Sequence, residues 1–85
     1  MTRRLSAIER ERAARFAADA AKLFPGLPER AMLARPHFLN VDHHTVTRMM
    51  DGRMEVTKRV EWAMYGMQMC KKHAPDRWRK LLEEG

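Results

Sequence analysis

The sequence predicts an all-α fold, a compact bundle of four to five short helices in a single domain spanning residues 1–85. Three observations lead there. Apolar residues recur at three- and four-residue intervals in several separate stretches; no stretch alternates with the two-residue period of a strand; and recognisable helix start and stop residues stand between the stretches. A chain of 85 residues has room for one modest core, a size at which dimerisation often adds stability.

The first helix is expected over 7–24. Ser6 and Glu9 form the S-x-x-E capping box, and Ile8, Ala13, Phe16, Ala17, Ala20, Leu23 and Phe24 make an apolar stripe that stops at Pro25-Gly26. Glu11 with Arg15, and Arg15 with Asp19, have the four-residue spacing of ion pairs on the solvated side. A broken second helix is expected over 28–40: Pro28 suits a first helical position, Pro36 ends the helix near Arg35, and His37 to Asn40 add a further short turn. The third helix, 42–52, has Asp42 as its N-cap and Gly52 as its left-handed stop. The fourth, 57–73, starts at Thr57, turns Val56, Val60, Ala63, Met64 and Met67 inward, and ends on Lys71, Lys72 and His73, which suit the negative end of the helix dipole. Ala74-Pro75 interrupts it, and Asp76 caps a last helix over 76–84 that carries Trp78, Leu81 and Leu82.

Composition narrows the function. Seventeen Lys and Arg against eleven Asp and Glu give a formal charge of +6, which favours a polyanionic partner. A lone Cys70 makes no intramolecular disulfide and the early residues hold no apolar run of signal-peptide kind, so a cytoplasmic protein is expected. No stretch approaches the roughly 18 apolar residues of a membrane span, so no membrane partner is expected. Cys70 and His73 have ligand-like spacing but lack a second pair, and the adjacent His43 and His44 point in different directions on a helix, so neither a metal nor a cofactor is expected. No nucleophile stands beside a base and no glycine-rich loop would cradle a phosphate, so the chain does not read as an enzyme.

The most informative segment is Leu39 to Arg53, L-N-V-D-H-H-T-V-T-R-M-M-D-G-R. It combines a turn, a short amphipathic helix and a glycine stop, the parts that a helix-turn-helix requires of its turn and second helix. Val41, Val46 and Met49 are spaced to pack inward, leaving His43, His44, Thr47 and Arg48 on a polar, basic outer face. Asn40 tolerates the left-handed conformation such a turn demands. The stretch N-V-D-H-H-T-V-T-R-M-M-D-G resembles the lambda-repressor-like (Cro and phage-repressor, XRE-type) DNA-binding family, where these elements often read like G-V-S-x-x-T-V-S-R-W-x-x-G. A weaker likeness continues through R-M-E-V-T-K-R-V-E-W-A-M, residues 53–64.

The resemblance implies a sequence-specific regulator that inserts helix 42–52 into the major groove of double-stranded DNA. It implies base contacts from His43, His44, Thr47 and Arg48, with Arg48 best suited because a guanidinium reaches guanine O6 and N7 together. Arg3, Arg4, Arg53, Lys58 and Arg59 are the candidates for phosphate contacts, the last two because a helix N-terminus also offers N–H groups to anions. Small size and the lack of an effector domain fit a phage or mobile-element repressor or control protein, binding an inverted repeat as a homodimer. Pro36 stands where the family commonly has alanine, and Arg35 where an apolar residue is usual, so helix 2 is expected to be short or displaced. Met50, Met69, Trp62 and Tyr65 fall partly off the inward stripes and leave apolar surface for a dimer mate, with Trp62 and Trp78 as anchors. The alternative reading is a small helical inhibitor or adaptor that binds another protein through its basic, Met-rich surface.

Overall fold

Reciprocal capping starts the first helix. In the computed structural model, which describes residues 5–84, the Glu9 N–H donates to Ser6 Oγ at 3.2 Å and the Ser6 N–H donates to Glu9 Oε1 at 3.0 Å. Five helices follow in chain order: α1 (Ala7–Leu23), α2 (Glu29–Ala34), α3 (His43–Met50), α4 (Lys58–His73) and α5 (Pro75–Glu84). No strand occurs among the described residues, and the protein is all-α. No helix among them is long and apolar enough to cross a membrane.

α1 is the centre of the bundle, touching α2, α3 and α4, while α2 packs on α3 and α5 on α4. The inward stripes meet in one core: Ala13, Phe16, Ala20 and Leu23 from α1, Met32 and Leu33 from α2, Val46 and Met49 from α3, Met64 and Met67 from α4, with Phe24, Val56 and Trp78. An aromatic cluster closes one end. Phe24 lies edge-on to Phe38 at 5.2 Å, and Trp78 lies 5.5 Å from each of them, so the end of α1, the connection 35–42 and α5 are pinned together.

α1 and α4 run side by side in the same direction. Arg12 Nε lies 3.5 Å from Glu61 Oε1, and Lys71 Nζ donates to the carbonyls of Lys22 (2.6 Å) and Leu23 (3.3 Å); the Arg12–Glu61 and Lys22–Lys71 contacts span the same separation of 49 residues. The Lys71 ammonium thus satisfies carbonyls at the α1 C-terminus that have no partner within the helix.

Several local expectations are corrected by this packing. Ile8 is 63% exposed rather than inward, because its spacing puts it on the α1 face of Arg12, Arg15 and Asp19, away from Ala13, Phe16 and Ala20. The ion pairs expected among Glu11, Arg15 and Asp19 do not form; among the described residues the pairs are Arg12–Glu61 and Arg30–Asp51, both between helix neighbourhoods. An exposed pair within one helix contributes only about 0.2–0.5 kcal/mol, too little to hold these side chains. Trp78 is only 5% exposed, so the aromatic cluster removes it as an anchor for a dimer, and Met50 is packed partly against the core. Pro28 sits one residue ahead of α2, and residues 36–39 form a turn instead of a further helical turn. Asp42 precedes α3 in extended geometry but its side chain makes no capping hydrogen bond, and Asp76 lies inside the first turn of α5, which Pro75 opens.

Candidate nucleic-acid interface

Pro36 shapes the entry to α3. It disfavours helical geometry at Arg35, which is extended (φ −63, ψ 151), and α2 stops at Ala34 after six residues. The Arg35 carbonyl then accepts from the N–H groups of Phe38 and Asn40, each at 3.0 Å, while the Leu39 N–H donates to the Leu33 carbonyl at 3.0 Å. These bonds hold the connection 35–42 as a defined turn. Its last corner is Asn40 in the left-handed region (φ 53), after which half-buried Val41 packs against the core.

α3 is anchored on one side only. Val46 (0% exposed) and Met49 (2%) hold it against the core, whereas His44, Thr47, Arg48 and Asp51, at i, i+3, i+4 and i+7, share the opposite face, with His43 beside them. His43, His44 and Arg48 are exposed and Thr47 is half-buried. The two imidazole rings lie 6.5 Å apart and nearly perpendicular, and so present their nitrogens in different directions. The Arg48 guanidinium has no hydrogen-bond or ion-pair partner among the described residues.

The helix ends as abruptly as it begins. Gly52 is left-handed (φ 73), the Arg53 N–H donates to the Arg48 carbonyl at 2.9 Å, and the Gly52 N–H donates to the Met49 carbonyl at 3.3 Å, the paired bonds of a Schellman stop. A Cβ at Gly52 would meet only Ala13 Cβ at 4.0 Å, an ordinary contact. The cost of Gly52→Ala is therefore conformational, and the variant is expected to lose about 1–2 kcal/mol in urea unfolding. A loss indistinguishable from zero would contradict this account of the α3 stop.

The residues singled out from sequence are not all brought together. His43, His44, Thr47 and Arg48 lie together on α3, and exposed Arg53 follows immediately. Lys58 and Arg59 are exposed at the start of α4, where Thr57 Oγ1 accepts from the Val60 N–H at 3.3 Å, but α4 makes no contact with α3 among the described residues. Lys58 instead lines a groove between α1 and α4. Arg3 and Arg4 lie outside the described residues.

Sequence reasoning missed Arg30 and Asp51. Arg30 Nη2 on α2 donates to Asp51 Oδ1 at 3.4 Å, placing a carboxylate and its counterion at the end of the outward face of α3. The spacing of Asp51 from Thr47 and Arg48 marked its face in advance; nothing local marked Arg30. Both side chains are more than a third exposed, so the pair contributes at most about 1 kcal/mol and can open to a competing anion. The face as a whole offers a planar guanidinium, a hydroxyl and two imidazoles, groups that bond to base edges and phosphates.

Among the described residues, no group of three or more His, Cys, Asp or Glu side chains is arranged to hold a metal ion. Comparison with protein-family models, with curated proteins and with solved structures found no match to this chain.

Proposed function

We propose that this chain is a sequence-specific regulator of transcription that binds double-stranded DNA as a homodimer, with α3 in the major groove, in the manner of a phage or mobile-element repressor or control protein. It acts by binding and carries out no chemistry. The observation that carries the reading is one-sided anchoring: Val46 and Met49 are buried while Arg48, within two residues of both, is exposed with no partner among the described residues. A helix held this way between a fixed turn and a glycine stop can present its first two turns to base edges. Arg48 would read guanine, Thr47 a base or a thymine methyl, and His43 and His44 bases or phosphates. Arg53 and Arg30 flank that face, and the +6 charge supplies long-range attraction to the duplex.

The direct test is selection of bound duplexes from a random pool, followed by titration of the best sequence at several salt concentrations. An enriched motif is expected, bound more tightly than scrambled duplex, with log affinity falling linearly against log salt because phosphate contacts release counterions. Recovery of no motif, with equal retention of all duplexes, would remove the regulator reading. The second reading, an inhibitor or adaptor for another protein, is favoured by one observation: Trp62 and Tyr65 are 72% and 54% exposed on α4. Failure to bind any duplex at low salt would shift the assignment to it.

A further inference from the structure

The α1–α4 groove uses none of the α3 residues. It is an open trough of about 660 Å³ with Phe16, Val56 and Met64 at its base, and Trp62 and Tyr65 along the α4 side. The two rings meet edge to face, 6.0 Å apart at 85°. Exposed aromatic rings of this size, each able to bury roughly 150–250 Å², form the kind of contiguous apolar patch that usually marks a contact surface.

The charges around the trough are of both signs. Arg12 and Glu61 pair across it at 3.5 Å, whereas Arg15 and Asp19, one turn apart on α1 and both lining it, have no partner among the described residues. We propose that the groove is where two copies of this chain associate about a two-fold axis, Arg15 of each copy pairing with the partner's Asp19 while Trp62 of each is covered by the other copy.

Self-association fits because a two-fold contact sets residue i against j and j against i, so neighbouring charges of opposite sign on one helix face are complementary to themselves. The chain as a whole carries +6 and repels its own copy, yet here all but one of the charges of Arg12, Arg15 and Lys58 are offset by Asp19 and Glu61. A nucleic-acid strand in the groove would bring phosphates against those two carboxylates. The perpendicular rings also lack the parallel platforms on which successive bases stack. No α3 residue lines this face, so association through it does not itself use the outward side of α3. That two such helices then meet one inverted repeat rests on the DNA-binding proposal; the association itself does not.

Sedimentation velocity of the full chain from low micromolar to near-millimolar concentration tests the proposal. A concentration-dependent dimer is expected. Trp62→Gln should sediment as a monomer throughout, with an unchanged far-UV circular dichroism spectrum because residue 62 makes no part of the core. Asp19→Arg should weaken the dimer at least several-fold, and adding Arg15→Asp to it should restore much of the loss. A wild-type chain that stays monomeric, a Trp62→Gln chain that dimerises normally, or a charge reversal that is not rescued would each overturn the proposal. So would quenching of Trp62 emission by a single-stranded oligonucleotide while the chain stays monomeric. A dimer with no duplex binding sinks only the regulator reading, and a monomer that selects a DNA sequence sinks this one and the homodimer part of that reading while leaving base recognition by α3 standing.

Discussion

Phe24→Ala is expected to remove about 3–5 kcal/mol of stability, the usual cost of deleting a buried ring and leaving a cavity. The whole domain, at roughly 0.05–0.15 kcal/mol per residue, has on the order of 4–13 kcal/mol to lose. At the lower end of that range the variant is substantially unfolded at room temperature, and at the upper end it stays folded with a lowered unfolding midpoint. The size of the effect comes from position: Phe24 is fully buried, caps the end of α1 with its N–H donating to the Ala20 carbonyl, and touches both Phe38 and Trp78. Deleting it loosens three segments together. Because Phe38 belongs to the connection that aims α3, the damage should also reach the candidate interface. Urea unfolding followed by circular dichroism measures the loss, and Phe24→Leu, which keeps most of the volume, should recover the larger part of it. A drop below about 1 kcal/mol for the alanine variant would show that the site collapses around the gap and that the aromatic cluster is not the clamp inferred here.

Arg48→Ala is expected to act in the opposite way, leaving the fold intact and discrimination impaired. The side chain is exposed and has no partner among the described residues, so stability should change by no more than about 0.5 kcal/mol. On the selected duplex the loss should be about 1–3 kcal/mol, a weakening of roughly 5- to 150-fold, while binding to scrambled duplex changes far less. Arg48→Lys should recover charge but not the two parallel bonds to one guanine, and so restore general affinity more than selectivity. Equal losses on selected and scrambled duplexes would assign Arg48 to phosphate and leave base reading to other residues. Fluorescence anisotropy with both duplexes at one salt concentration resolves these outcomes.

The two variants also divide what was legible in the chain. Arg48 was marked by its spacing from Val46 and Met49 and by the turn and glycine on either side. Phe24 was marked only as the last member of a stripe; its role as the hub of three aromatics depends on Phe38, which no periodic pattern included. Ile8 shows the same limit from the other side. It is apolar and close to a stripe, yet the packed face of α1 begins further on, and Ile8 stands exposed on the face that carries Arg12, Arg15 and Asp19. Asp51 was within reach of a spacing argument, being four residues from Thr47, whereas its partner Arg30 lies 21 residues away and becomes a neighbour only when α2 packs on α3.

What the amino-acid sequence determined by itself was local: the capping box at Ser6, the break imposed by Pro36, the left-handed corners at Asn40 and Gly52, the Thr57 cap, and the inward set of α3. Each follows from backbone sterics or hydrogen bonding within a few residues, and needs no knowledge of the rest of the chain. What only the tertiary structure decided was which helices become neighbours: the parallel course of α1 and α4, the burial of Trp78, and the pairings Arg12–Glu61 and Arg30–Asp51. Those outcomes depend on how one small core is shared among five helices, and a stripe says that a face must be buried without saying against what.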